Sequence, residues 1–270
     1  MALVRTDHLI STQGFTLAVN VIMLEQAEAY LIASEQLGQG LVLQVSQNTV
    51  NFHGGLEPLG KALLTMAEGC SQPISVHLDH AIDPVLVRTA ASMGFSSVMF
   101  DGSTLDYSEN VATTKTLCAE LGDSVWFEAE LGEVGGKDGV HAPGVRTRPS
   151  EAAEFVSDTQ VHGLAVAVGS SHAMLDKSTE LDIELIGLLA ASVNVPLVLH
   201  GSSGVSHGQL REAIDAGIKK VNIATELNVI FNQAIRENLD FGPGDPRQFL
   251  GPAREKLSSY LVELYKKLSI

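Results

Sequence analysis

The sequence predicts an α/β fold, a closed (β/α)8 or TIM barrel, as a single domain over residues 1–270 with a C-terminal helical extension. Two observations lead to this prediction. Short apolar runs alternate with longer segments of helical periodicity, and no linker or low-complexity tract divides the 270 residues. A doubly wound open sheet is the alternative, but no GxGxxG follows the first run, so the nucleotide-binding form of that sheet lacks its fingerprint.

Eight apolar runs are predicted to be strands, and each leaves room for a helix before the next. The predicted strands are Phe15–Val19, Val42–Val45, Ile74–Leu78, Ser97–Phe100, Val125–Glu130, Leu164–Val168, Pro196–Leu199 and Val221–Ala224. Apolar residues at helical spacing predict helices at Met23–Leu37, Leu59–Ala67, Pro84–Met93, Ser108–Leu121, Ser150–Val156, Ile183–Ala191 and His207–Ala216. A terminal helix is expected over Pro246–Leu268.

The composition argues against several classes of function. The formal net charge of −15 disfavours binding to nucleic acid or to anionic membranes. A small phosphorylated ligand is still compatible, because a local pocket of N–H groups can bind it. The two cysteines, Cys70 and Cys118, have no metal-ligand spacing. Without a signal-like N-terminus or an apolar run of membrane-spanning length, the sequence predicts a cytoplasmic protein.

Polar residues follow the apolar part of each predicted strand. In a barrel these carboxyl ends meet at one mouth, where active sites are built. His80, His172 and His200 therefore arrive at one place from three strands. Three neutral imidazoles suit Zn²⁺ and leave an open coordination position. His77 shares a strand face with Asp79 one layer deeper, and we expect it to support the site rather than bind metal.

Two further groups lie at the same ends. Gly169–Ser171, Gly201–Gly204 and Asn222–Thr225 follow strands six, seven and eight, where barrel loops commonly cradle a phosphate with backbone N–H groups. After strand five, glycines surround Asp138. That segment is either a solvated turn or a mobile lid that carries a catalytic carboxylate over the mouth.

Taken together, these motifs resemble the class II fructose- and tagatose-bisphosphate aldolases. The resemblance runs from about Asn20 to Asn228. The motifs that carry it are HLDH at 77–80, EAELG at 128–132, AVAVGSSHA at 165–173, PLVLHGSSG at 196–204 and VNIATELN at 221–228.

The resemblance implies reversible, zinc-dependent aldol cleavage of a ketose 1,6-bisphosphate to dihydroxyacetone phosphate and glyceraldehyde 3-phosphate. It implies one Zn²⁺ on His80, His172 and His200, with Asp79 as catalytic acid/base. It also implies a second metal position at Asp101 and Glu130, admits a monovalent cation, and suggests a homodimer or homotetramer. The implied substrate-binding residues are Asn20, Ser46, Ala173, Gly201, Ser202, Ser203, Asn222, Ile223, Ala224 and Thr225.

Three positions depart from the family pattern. Ala173 stands where the family often has Gly. Asp138 stands near its usual catalytic Glu and is expected to abstract the proton of dihydroxyacetone phosphate, with Glu133 or Glu130 as the alternatives. Ala224 stands where many fructose-bisphosphate enzymes have a carboxylate or amide, which is similar to tagatose-type sequences and leaves the sugar stereochemistry open.

The motifs also bear on other mechanisms and functions. A Schiff base needs a Lys at the mouth, and the candidates Lys219 and Lys220 precede the predicted strand eight at the wrong end. A metal acting as a Lewis acid fits instead. The alternative functions are a non-catalytic sugar-phosphate-binding barrel, an aldolase for another phosphorylated ketose, and a metal-assisted phosphosugar hydrolase or isomerase. A non-catalytic binder would not need the proton carrier Asp79.

Overall fold

A computed structural model describes residues 3–132, 146–172, 174, 176–241 and 244–269. Its strands are β1 (Thr16–Asn20), β2 (Leu41–Ser46), β3 (Ile74–Ala81), β4 (Ser97–Phe100), β5 (Trp126–Leu131), β6 (Gly163–Val166), β7 (Leu197–Leu199) and β8 (Ile218–Ile223). All neighbours pair in parallel in sequence order, and β1 pairs with β8 to close the barrel. The predicted fold class is therefore confirmed, although β8 begins earlier than the predicted Val221.

One helix precedes β1, and the others lie between the strands or after β8. They are α1 (Thr6–Gln13), α2 (Leu24–Leu37), α3 (Gln47–His53), α4 (Glu57–Gly69), α5 (Pro84–Met93), α6 (Tyr107–Leu121), α7 (Pro149–Thr159), α8 (Ile183–Ser192), α9 (His207–Ala216), α10 (Thr225–Asn238) and α11 (Arg247–Ser269). The sequence patterns predicted all of these except α1, α3 and α10. None of the helices in the described ranges is long and apolar enough to cross a membrane.

Side chains alternate between the barrel interior and the layer beneath the helices. In β5, Phe127, Ala129 and Leu131 belong to the large apolar cluster between sheet and helices, whereas Trp126 packs in a separate cluster with Ala165 and Val198. Since successive strand residues point to opposite faces, Glu128 and Glu130 share the face of Trp126. The large outer cluster thus stabilises the fold, and the interior is left to hold polar groups.

Helix α1 covers the amino-terminal end of the barrel. Leu9 is fully buried against Ala18 and Val42. The hydroxyl groups of Thr6 and Ser75 lie 2.9 Å apart and share a hydrogen bond. Because this end is closed by a helix, the carboxyl ends of the strands are left to form the mouth.

The last helix, α11, packs against α2, α9 and α10. It confirms the expected C-terminal helical extension. Several of its residues, among them Leu257 and Leu261, are completely buried. The helix therefore belongs to the core of the barrel and is not a loosely attached tail.

Glu226 connects four parts of the chain near the mouth. It lies in the first turn of α10 and accepts hydrogen bonds from His207 of α9, Tyr260 of α11 and Lys177 of the segment after β6, the last at 3.0 Å. Burial raises the pKa of Glu226, but the hydrogen bonds outweigh burial and lower it to about 2. Lys177, in the segment after β6, is thereby tied to three helices, α9, α10 and α11.

We expect this carboxylate to stabilise the protein above about pH 4.5, its ordinary pKa, and to lose that effect as the pH falls towards 2. Glu226→Gln should lower the free energy of unfolding at pH 7 by at most about 3 kcal/mol, and should flatten its decline in acid. Chemical denaturation across this pH range measures both effects. Glu237 also lies on α10, where it forms an exposed ion pair with Lys256 of α11. Glu237→Gln is therefore the control and should change little. Parallel pH profiles for wild type and Glu226→Gln would contradict the assignment.

Candidate active site

The carboxyl ends of the strands enclose a cavity of about 260 Å³, called here the mouth cavity. Its lining residues are Asn20, Gln44, Ser46, Gln47, Asn48, Asp79, His80, Ile82, Asp101, His172, Gly201, Ser202, Ser203, Asn222, Ala224 and Thr225. A larger cleft of about 900 Å³ lies at the opposite end of the barrel, before β5, β6 and β7, and contains none of these residues. The mouth cavity is the site with convergent polar groups, which is what a catalytic pocket requires.

Three histidines meet beside the mouth cavity. His80 lies near the end of β3, His172 in the segment after β6, and His200 directly after β7. One ring nitrogen of each lies within 4.8 Å of the others, and His80 Nε2 is 2.7 Å from His200 Nδ1. Three imidazoles from three strands fit a tetrahedral zinc site with one open position. The donor set predicted from sequence is therefore brought together.

An irregularity in β3 explains how Asp79 and His80 both reach the mouth. Consecutive strand residues normally point to opposite faces. Here His80 has a φ of +49°, and the register between β3 and β4 shifts between Leu78 and Ala81. Such bulges re-aim side chains next to active sites, and the left-handed backbone is unfavourable for a residue with a side chain. The left-handed backbone at His80 thus places an imidazole that could bind a metal beside a carboxylate.

Carboxylates orient two of the three imidazoles. His80 Nδ1 lies 2.8 Å from Asp101 Oδ2, and His200 Nε2 lies 2.8 Å from Glu128 Oε1. In each ring the other nitrogen faces the cluster of histidines. Hydrogen bonds of this kind fix the tautomer and the ring orientation of metal-binding histidines. The rings are therefore held in the orientation that metal binding requires.

Asp101 and Glu130 form a second group with His80. One donor atom of each of the three residues lies within 4.8 Å of the others. Glu130 is completely buried, and its Oε2 is 3.8 Å from His200 Nδ1 and 3.9 Å from His80 Nδ1. His80 can thus face the three-histidine cluster with Nε2 or the carboxylates with Nδ1. His80 Nδ1, Asp101 and Glu130 therefore lie close enough together to be ligands of the predicted second metal position.

Asp79 is buried next to the cluster but belongs to neither group of metal-ligand atoms. Asn222 Nδ2 donates to its Oδ1 at 3.1 Å, and Gln44 Nε2 lies 3.4 Å from its Oδ2. Burial raises the pKa of Asp79, and the charge of His80 partly counters that rise. A carboxylate held by two amides, with a raised pKa, suits proton transfer better than permanent ion pairing.

Gln44 is a site residue that the sequence patterns did not single out. It lies in the apolar run of β2 and also donates to the side-chain oxygen of Asn20. It therefore joins Asn20, at the rim of the mouth cavity, to Asp79 at its floor. The sequence does contain an indication of this role, because a lone amide in an otherwise apolar strand needs a polar partner inside the barrel.

Small and hydroxyl-bearing residues that follow β7 and β8 line one wall of the mouth cavity. Ser202–Gly204 form a 3₁₀ turn after β7, and Ala224 and Thr225 lie where α10 begins. The Ser202 hydroxyl donates to the Asn222 carbonyl. Helix and turn starts direct N–H groups outwards and suit an anion such as a phosphate. The predicted residues of this wall come together except Ile223, whose side chain packs in the apolar core instead of lining the mouth cavity.

Three of the predicted site residues, Glu133, Asp138 and Ala173, lie outside the described residues. Asn20 and Ser46 line the mouth cavity as expected. His77 lies deeper, with Nδ1 2.6 Å from the Ser97 hydroxyl, and burial followed by the Lys220 charge lowers its pKa well below the usual value. It takes part in neither metal-ligand group, as the sequence predicted.

The placement of Lys220 before strand eight was wrong. β8 begins at Ile218, so Lys220 lies within the strand, completely buried, with Nζ 2.8 Å from Glu128 Oε2. Its ammonium is inside the barrel but is not among the residues that line the mouth cavity. A Schiff base at Lys220 is disfavoured because its ammonium is ion-paired in the interior.

Comparisons with known proteins agree with this geometry. A sequence profile described as fructose-bisphosphate aldolase class-II matches residues 11–269. A fructose-bisphosphate aldolase of Staphylococcus aureus is 36% identical over 251 residues, which cover 88% of this chain and 86% of that protein. The chain belongs to the class II fructose-bisphosphate aldolase family. It is accordingly an aldolase, a carbon–carbon lyase of a family that acts on phosphorylated sugars, and the non-catalytic alternative is set aside.

Solved structures of the family share the fold. The YdjI aldolase from Escherichia coli K12 is 27% identical with a TM-score of 0.83, and the match covers 97% of this chain and 94% of that one. The fructose-bisphosphate aldolase from Campylobacter jejuni has a TM-score of 0.81 over 99% of this chain and 95% of that one, at 21% identity, and supports the fold alone. The aldolase barrel is therefore matched along nearly the whole chain.

Gly201 is the glycine on which this aldolase site depends. Its φ is +65°, and a Cβ there would lie 2.8–3.0 Å from backbone atoms of Ser171, next to His172. Gly38 has nearly the same φ, +64°, but has nothing within 4 Å of that position. The two glycines differ only in whether a side chain would meet rigid backbone.

We expect Gly201→Ala to lower the free energy of unfolding by about 2 kcal/mol or more, and Gly38→Ala by about 1 kcal/mol. Both substitutions place a side chain on a left-handed backbone, but only that at Gly201 brings the Cβ against the backbone of Ser171. Chemical denaturation of the two variants measures the difference. Equal losses would show that the Ser171–His172 backbone moves aside without cost.

Proposed function

We propose that this aldolase reversibly cleaves a ketose 1,6-bisphosphate of the fructose or tagatose type. The products are dihydroxyacetone phosphate and glyceraldehyde 3-phosphate, and one Zn²⁺ per chain is held by His80, His172 and His200. The observation that carries the proposal is the meeting of three imidazoles beside the buried Asp79. When bound, Zn²⁺ supplies a Lewis acid for the negative charge that develops beside the C2 carbonyl during cleavage.

Asp79 is proposed to carry the proton of the C4 hydroxyl. In cleavage its carboxylate accepts this proton as the C3–C4 bond breaks, and in condensation the carboxylic acid returns it to the aldehyde oxygen. Its hydrogen bond from Asn222 and its contact with Gln44 aim the carboxylate. Asp101 and Glu128 hold His80 and His200 beside it. Asp138 or Glu130 is proposed to exchange the hydroxymethyl proton of dihydroxyacetone phosphate.

The C1 phosphate is proposed to bind at Gly201–Ser203 and Asn222–Thr225, with Ala173 contributing its backbone N–H. Small residues allow the backbone to approach the anion closely. Ser171 supports this assignment, because its buried hydroxyl has no hydrogen-bond partner among the described residues. A bound phosphate would satisfy such a donor.

A second candidate substrate class is a phosphorylated ketose without the 6-phosphate. The described residues that line the mouth cavity include no Lys or Arg. A phosphate at C6 would normally be recognised by such a cation. The bisphosphate proposal therefore needs its cation from Lys137 of the segment after β5 or from a second copy of the chain, whereas a ketose 1-phosphate needs none.

The remaining predictions are kept as proposals. They are a single domain over residues 1–270, a cytoplasmic location, a homodimer or homotetramer, a monovalent cation as a further cofactor, and a second metal position at Asp101 and Glu130. Asp101 is held by the backbone N–H and hydroxyl of Ser103 and by His80, which keeps its carboxylate in place for that position.

Asp79→Ala should retain zinc while kcat falls by roughly 10²–10⁴-fold, because the variant loses only the proton carrier. Metal content and the rate of aldol cleavage are measured on the same preparation. Asp123→Ala, which removes an exposed carboxylate before β5, is the control and should leave both unchanged. Loss of zinc in parallel with activity would make Asp79 a metal ligand or a structural support.

A panel of phosphorylated ketoses tests the substrate class. With release of dihydroxyacetone phosphate as readout, we expect fructose and tagatose 1,6-bisphosphates to differ in kcat/KM by less than about a hundredfold, because Ala224 removes a polar group that could read the C4 hydroxyl. The corresponding 1-phosphates should be cleaved with a kcat/KM at least about tenfold lower than that of the bisphosphates. Equal or faster cleavage of the 1-phosphates would favour the second candidate, and a larger preference for fructose would contradict the role of Ala224.

A further inference from the structure

A line of buried polar contacts crosses the barrel beneath the three histidines. It runs from His200, after β7, to Glu128 on β5 and on to Lys220 on β8. All three side chains are completely buried. Glu128 uses one carboxylate oxygen for each neighbour, Oε1 for His200 Nε2 and Oε2 for Lys220 Nζ, both at 2.8 Å. The arrangement therefore joins a metal-binding ring to a cation that lies outside the mouth cavity.

Glu128 determines which nitrogen of His200 carries the proton. A carboxylate only accepts hydrogen bonds, so His200 Nε2 must donate to it. Nδ1, which lies 2.7 Å from His80 Nε2, is then the unprotonated nitrogen of the neutral ring, and its lone pair faces the cluster of histidines. Partners of this kind typically change metal affinity by 10–100-fold when they are removed. The position of the Glu128 carboxylate thus decides whether His200 is ready to bind metal.

Lys220 in turn determines the position of Glu128. Its ammonium is the buried cation that contacts Oε2, whereas His77 Nε2 stands at 3.9 Å from the same oxygen. A buried carboxylate that loses its counter-ion is strongly destabilised and reorganises or draws in water. β5 and β8 are not neighbours in the sheet, so the ion pair also fixes one side of the interior against the other.

We propose that Lys220 is a positioning residue, which holds the Glu128 carboxylate so that His200 presents Nδ1 to the metal. The inference rests on the proposed three-histidine zinc site and extends it to a residue that contacts neither metal nor substrate. A purely structural ion pair is the competing interpretation. The two differ in what happens when both charges are removed together.

The experiment measures zinc affinity of the full-length protein by competition with a chromophoric chelator, and the visible absorption of the cobalt-substituted protein. Lys220→Met should weaken zinc binding by about 10–100-fold and alter the cobalt bands as His200 ligation is lost. Lys219→Met makes the same chemical change at a half-buried position of the same strand and should leave the affinity within about twofold of wild type.

The double variant Lys220→Met/Glu128→Met separates the two interpretations, and covers the case that Lys220→Met alone folds poorly. Without a lone buried charge, its metal-free form should be more stable to denaturant than Lys220→Met. Its zinc affinity should stay low, because His200 Nε2 has lost its acceptor. Wild-type affinity in either Lys220 variant would overturn the positioning role. A wild-type protein that binds no zinc would instead overturn the proposed metal site and this inference with it.

Discussion

Pairing of β1 with β8 turns eight parallel strands into a closed barrel, and this closure determines where chemistry can occur. All strands run in one direction, so their carboxyl ends share one mouth. Residues far apart in the chain, such as His80 and His200, meet there within hydrogen-bonding distance. At the other end, α1 covers the barrel and leaves the mouth as the open end. Closure also means that the sheet has no unpaired edge.

The interior beneath the mouth differs from a barrel filled with branched aliphatic side chains. Glu128 and Lys220 form an ion pair, His77 is bound to Ser97, and Asp79 is held by Asn222. Burying such groups is unfavourable unless each has a partner. The apolar cluster between sheet and helices supplies stability that offsets the cost of burying these groups. The orientations of His200 and Asp79 follow from the hydrogen bonds that the buried polar groups make with one another.

The sequence predicted the closed barrel and most helices, because apolar periodicity reports directly on burial. It missed α1, α3 and α10, and it started β8 too late because Lys219 and Lys220 look like solvent-exposed residues. Whether a Lys faces solvent or the interior depends on a partner from a distant strand, here Glu128, and no local pattern encodes that. The same holds for the bulge at His80, where a positive φ is fixed by the fold around it. The sequence did predict that the three histidines and Asp79 lie together, because their motifs stand at predicted strand ends and local sequence determines where strands end.

Catalysis and substrate choice are separable in this architecture. Asp79, His80 and Glu128 belong to strands whose geometry is fixed by closure, and the polar network beneath them leaves little room for substitution. The residues at the rim of the mouth cavity lie outside the strands or at their ends. Gln47 belongs to the short helix α3, and Ile82 and Ala224 lie at or just beyond strand ends. A change at the rim can alter which end of a sugar phosphate is recognised without disturbing the ligands below, because loops beyond the strand ends vary while the strands keep their register. The described residues of the cavity wall, at the rim and at the floor alike, include no Lys or Arg. Under the proposed function, the rim residues would bear on recognition of the sugar phosphate, whereas the residues below them would bear on the carbon–carbon bond cleavage that defines the family.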